Sequence, residues 1–138
     1  MAKAENKPRP APKPPQRSTR AGLPAEIVKT VQAAFDKKAF DVVVLDLRKT
    51  PAFTDFFILC SGQNARQVQA IADAIEESVR AVRLRPSHVE GYRKAEWILM
   101  DFFTFIVHVF APQTRDFYSL ERLWGDAERH ALTDGDVR

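Results

Sequence analysis

Cysteine is almost absent from this 138-residue chain: Cys60 stands by itself. A lone cysteine excludes both an internal disulfide and a CxxC metal knuckle, and it suits a reducing cytoplasmic setting. Long apolar runs are missing too. The longest, Phe56-Phe57-Ile58-Leu59-Cys60, falls far short of the roughly 18 residues a membrane-spanning helix needs. Glycine is scarce, at five residues, and the one candidate phosphate loop, Ser61-Gly62 before a helix, could offer amides to an anion but reads first as a plain strand-to-helix turn. Asp41, Asp46 and Asp55, the aspartates near strand ends, form no Asp-Xaa-Asp pair. What remains is a chain with 45% apolar residues, enough for one compact domain.

Charge is unevenly spread. The first 20 residues hold six cations (Lys3, Lys7, Arg9, Lys13, Arg17, Arg20) against Glu5, an excess of five. The whole chain has a net charge of +3, so residues 21–138 are left with −2. The same basic stretch holds Pro8, Pro10, Pro12, Pro14 and Pro15 and few large apolar side chains. Such a segment cannot offset its ordering entropy by burial, so residues 1–22 are expected to form a disordered basic arm. Residues 23–132 are expected to form the domain, and 133–138 a flexible C-terminal tail. An acidic body suits a basic protein partner, whereas the arm reads as a solubilising extension or as a weak contact for ribonucleic acid.

Apolar periodicity predicts a helix from about Pro24 to Lys38 and a second from Asn64, a cap residue, to about Arg83. Asp41–Leu47, Thr54–Ser61, His88–Tyr92, Trp97–Asp101 and Thr104–Phe110 read as strands. Phe117, Leu120, Leu123 and Trp124 recur at helical spacing, which predicts a last helix from Arg115 to about Leu132. The expected fold class is α/β, with a mixed sheet of about five strands packed with three main helices.

Three readings of the chemistry stand side by side. Asp41, Asp46 and Asp55 lie near strand ends, where a phosphoryl-transfer enzyme holds its metal ions. However, the odd separation of Asp41 and Asp46 along a strand sends them to opposite faces. Cys60 and His108 are the candidate thiol–imidazole pair, and on its strand His108 shares a face with Ile106 and Phe110. The third reading starts from apolar surplus. Trp97 and Leu99 face one way, Ile98 and Met100 the other, and the following strand is apolar on both sides. Either the helices cover all of this surface or the remainder is an interaction site. Binding, with no cofactor and no reaction, is the function this favours.

Several ordered segments carry a resemblance. Asp41–Arg48 (DVVVLDLR) followed by Phe53–Gly62 (FTDFFILCSG), then Arg66-Gln67-Val68 and Ala70–Asp73, match the first half of the ribosomal silencing factor (RsfS, or Iojap) family. Glu90-Gly91, Trp97–Asp101, Val107–Phe110, Arg115–Tyr118, Leu120-Glu121 and Leu123-Trp124 follow in that family's order, so the chain resembles it from about Val28 to Asp126. The resemblance implies a nucleotidyltransferase-like fold without the catalytic carboxylate set. It also implies binding to the large ribosomal subunit through large-subunit ribosomal protein fourteen, which blocks joining of the small subunit and lowers translation when nutrients are scarce. Homodimers off the ribosome are common among members. Carried over residue by residue, Trp97, Leu99 and Asp101 would form the ribosome-facing strand. His108 and Tyr118 would supply hydrogen bonds to the partner, and Arg115 and Glu121 would either pair with it or fix the last helix. One departure is notable: Phe102-Phe103-Thr104 stands where the family usually has glycine in the middle position. A two-residue hairpin needs positive φ there, so a longer turn or one of another type is expected.

Overall fold

The computed structural model describes residues 22–118, 122 and 124–138, and at 116–118 the backbone alone. Residues 1–21 of the expected arm, and Glu121, lie outside the described residues. Helix α1 spans Ala25–Asp36 and buries Ile27, Val28, Val31 and Ala34, one stripe of a 3.6-residue repeat. Helix α2, Ala65–Arg80, buries Val68, Ile71, Ala72, Ile75 and Val79. Asn64 caps α2 as the sequence predicts: its side-chain oxygen accepts the Gln67 N–H. Both helices end in Schellman turns. Ala39 N–H reaches Ala34 O past Lys38 at φ 66°, and Leu84 N–H reaches Val79 O past Arg83 at φ 67°.

The strands are β1 (Phe40–Asp46), β2 (Phe56–Ser61), β3 (His88–Glu90), β4 (Trp97–Asp101), β5 (Phe105–Phe110) and β6 (Glu128–Leu132), with α3 at Pro112–Tyr118. They form one mixed sheet in the order β3-β4-β5-β2-β1-β6, parallel between β2 and β5 and antiparallel elsewhere. Alternation splits each strand between two faces. Val42, Val44, Ile58, Cys60, Val107 and Val109 pack under α1 and α2. Val43, Leu45, Phe57, Leu59, Ile106 and Phe110 point the other way, against Trp97, Leu99, Trp124 and Ala127.

Two expectations are corrected. The helix predicted from Arg115 to about Leu132 is not helical throughout: α3 is described over Pro112–Tyr118, Arg122 is helical again, and the last five residues form β6, antiparallel to β1 with Val43 opposite Ala131. The expected flexible tail is docked. Asp134–Val137 is a 3-10 turn whose Val137 side chain is fully buried. Gln32 Nε2 donates to the Val137 carbonyl, and Arg138 pairs with Asp36 and Asp134 at 2.6 and 2.8 Å. Burial of one apolar side chain and satisfied polar groups on α1 outweigh the entropy of so short a segment.

Candidate functional site: the half-covered face of the sheet

Topology decides which part of the second face is bare. After β5 the chain returns to the far edge of the sheet to form β6. On the way Trp124 and Ala127 pack on the second face. Strands β4 and β3 lie on the other side of β5, and among the described residues no helix covers their second face. Met100 and Ile98, which face the helices, are buried, whereas Trp97, Leu99 and Asp101 on the opposite face are only partly covered. All three residues of β3 are exposed. The surplus inferred from the sequence is real, and Trp97 and Leu99 carry it.

Trp97 is held in place. Its indole Nε1–H donates to His108 Nδ1 at 3.0 Å, a diagonal contact between β4 and β5. Its ring also leans on Phe110, with centroids 5.3 Å apart. Phe57 meets His108 edge-on at 4.8 Å and Trp124 at 5.8 Å, so an aromatic row runs from the covered half of the face to the bare half. The donor arriving at Nδ1 places the His108 proton on Nε2, which is buried and finds no partner among the described residues. Burial pulls the imidazole pKa down to about 3, so the ring is neutral near pH 7.

At 3% exposure His108 sits as a buried group of the sheet, and its hydrogen bond orients Trp97. The geometry of Arg115 fits the second of its two readings: its guanidinium donates to the Asp41 carbonyl and to Ser61 Oγ, tying α3 to the sheet. Asp101 Oδ1 accepts the Phe103 N–H at 2.8 Å and shapes the β4–β5 turn. Tyr118 ends α3, its side chain outside the described set like Glu121.

That turn differs from a two-residue hairpin with glycine. Thr104 N–H bonds Phe102 O, closing a γ-turn on Phe103 at φ 73°. Phe102 tucks into the core, and Phe103 stands in solvent. At the other end of β4, Gly91 at φ 80° leaves room for the Trp97 carbonyl, which would lie 2.1 Å from an added Cβ. No periodicity in the chain signals the Trp97–His108 bond, because it depends on the register of β4 against β5.

The alternative chemistries fare differently. Cys60 points to the helix side and His108 to the opposite face, so they do not meet, and burial pushes the thiol up to about 12. Asp41 and Asp46 sit at opposite ends of β1. The Ser61-Gly62 turn has its amides engaged: Gly62 N–H bonds Phe110 O, and Gln63 N–H bonds Gln67 Oε1. Asp46, Glu128 and His130 bring ligand atoms within 4.8 Å of one another. However, Arg48 donates Nε to Asp46 Oδ1 at 3.0 Å and a second N–H to Oδ2 at 2.7 Å, which holds that carboxyl below the usual range. An ion there has to displace the guanidinium first.

A mixed sheet backed by helices on one side, with an aromatic strand partly covered on the other, makes this an α/β protein. The model of the family described as "Ribosomal silencing factor during starvation" matches residues 21–138. Ribosomal silencing factor RsfS of Halalkalibacterium halodurans is 41% identical over 97 residues, covering 70% of this chain and 83% of that protein. RsfS of Bacillus subtilis is 39% identical over 102 residues, covering 73% and 86%. A crystal structure of a Chromobacterium violaceum protein superposes with a TM-score of 0.70 at 30% identity, covering 75% of this chain and 88% of that one. The chain belongs to the ribosomal silencing factor family.

Proposed function

We propose that this protein binds the large ribosomal subunit with the bare half of its sheet and thereby blocks joining of the small subunit, lowering translation when nutrients are scarce. Large-subunit ribosomal protein fourteen is the partner the family resemblance implies. The carrying observation is the pair Trp97 and Leu99, only partly covered on the sheet face opposite helices α1 and α2. A tryptophan fixed by a hydrogen bond loses little freedom on docking and is the kind of residue that dominates an interface. A standard interface of about 1,600 Å² suffices for steric exclusion, with no cofactor and no reaction. The net charge of −2 on residues 21–138 favours a basic ribosomal protein over exposed rRNA. The basic arm is proposed as an accessory rRNA contact, and its deletion should leave most of the affinity intact.

Cosedimentation with purified large subunits tests the assignment. Trp97→Glu should weaken binding by at least about thirty-fold, the usual effect of losing a central aromatic contact, while the thermal unfolding curve stays cooperative. Wild-type protein that neither sediments with large subunits nor slows subunit joining refutes it.

A further inference from the structure

The end of the sheet where β1 and β4 finish carries two large apolar side chains in solvent. Phe53 is 77% exposed and Phe103 75% exposed. They sit on adjoining loops, because Thr54 Oγ1 donates to the Phe103 carbonyl at 2.8 Å and Asp55 N–H bonds the Thr104 carbonyl at 3.0 Å. The loops are rigid at this point, their backbone groups being engaged with each other. Phe103 is also strained, since a phenylalanine at φ 73° occupies backbone space that favours glycine. A side chain kept in solvent on a strained residue gains nothing for the fold, and such outliers concentrate at working surfaces.

Each ring has a carboxylate two positions away along the chain: Asp55 for Phe53 and Asp101 for Phe103. Glu128 is exposed at the same end, and Arg48 is engaged with Asp46. Aromatic faces beside carboxylates suit the aliphatic stem and cationic head of lysine or arginine. The same carboxylates repel phosphate.

We propose that Phe53 and Phe103 form a docking tip for a lysine- or arginine-bearing segment of a protein partner, continuous through Asp101 with the Trp97 face. It rests on the functional reading above in taking that segment to be part of the large subunit's protein surface. The tip extends the contact beyond Trp97 and Leu99 to Phe53 and Phe103.

The test is cosedimentation of full-length wild type, Phe103→Gly, Phe53→Ser, Asp55→Lys and Trp97→Glu with purified large subunits, with melting curves for each. Phe103→Gly should weaken binding five- to ten-fold while melting at the wild-type temperature or above, because glycine takes φ 73° without strain. Phe53→Ser should weaken binding similarly, and Asp55→Lys more strongly at low salt than at high. Phe103→Gly and Phe53→Ser binding within twofold of wild type, while Trp97→Glu has lost binding, overturns the tip and leaves the face standing. Wild type failing to sediment overturns the face, and the tip's partner with it. Retention on protein-free large-subunit rRNA that Phe103→Gly abolishes assigns the tip to nucleic acid and overturns the proposal. So does a dimer in analytical ultracentrifugation that Phe103→Gly converts to monomer.

Discussion

Acidification should destabilise this protein well above the pH at which its carboxylates protonate, and His108 is the reason. Its ring lies among Phe57, Trp97 and Phe110, none of them charged, and its Nδ1 is occupied by the Trp97 indole proton. Charging the ring means placing a second N–H against that indole donor and an unsolvated cation among aromatics. The pKa is accordingly about 3 in the folded protein against 6.5 for an ordinary histidine. A depressed histidine pKa means that the unfolded chain takes up the proton first. The full contribution is present above pH 6.5 and drains away as pH falls from 6.5 toward 3. At pH 4.5, two units below the ordinary value, the loss is about 3 kcal/mol at roughly 1.4 kcal/mol per unit, out of a typical stability of about 5–15 kcal/mol. Asp46 acts lower: its carboxyl is held below 3.8 by Arg48, so its share is lost only as pH falls through that range. Urea unfolding followed by tryptophan fluorescence at pH 7.5 and 4.5, on wild type and His108→Gln, isolates the effect, since His88 and His130 are common to both. Wild type should lose about 3 kcal/mol more than the variant between the two pH values. Equal losses would refute the dry, neutral environment assigned to His108.

Other substitutions probe the frame around the face. Gly91→Ala forces a Cβ to within 2.1 Å of the Trp97 carbonyl at a positive φ; a loss of about 3 kcal/mol is expected, and a melting temperature within a degree of wild type contradicts it. Val137→Asp puts a carboxylate where the side chain is fully buried against α1. It should cost roughly 2–4 kcal/mol in chemical denaturation, and an unchanged midpoint would return residues 133–138 to the status of a tail.

Strands with a strong internal pattern were legible before any coordinates. In β5 the alternation of Phe105, Val107 and Val109 with Ile106, His108 and Phe110 predicts the two faces found. Asn64 likewise marks the start of α2. Strand β6 was not legible, because Glu128-Arg129-His130-Ala131-Leu132 is an edge strand with three polar residues and one fully buried side chain. Its identity comes from pairing with β1, a contact 80 and more residues away in sequence, while the helical spacing of Leu120, Leu123 and Trp124 carried the predicted helix on into it. The docked C-terminus escaped for a similar reason: one valine among polar residues carries no periodicity. At the site, alternation gives the direction of the Trp97 and His108 side chains and says nothing of what lies above them; Trp97 is partly covered and His108 buried.

The order of strands explains why the bare patch falls where it does. The connection from β5 to β6 places Trp124 and Ala127 on the second face. Antiparallel β4 and the short β3 extend the sheet beyond β5 on the other side. The first face of β4 is closed by α2, through Ile98 and Met100 below and through hydrogen bonds from Gln69 to the Tyr92 carbonyl and from Tyr92 to Asp73 at the rim. Its second face has no equivalent helix among the described residues. Covering Trp97 and Leu99 from within would take another helix after β4, where the chain instead turns within Phe102–Thr104 into β5. The tightness of that turn thus leaves the aromatic strand open and projects Phe103 beside it, so the same few residues that close the hairpin set the extent of the binding surface.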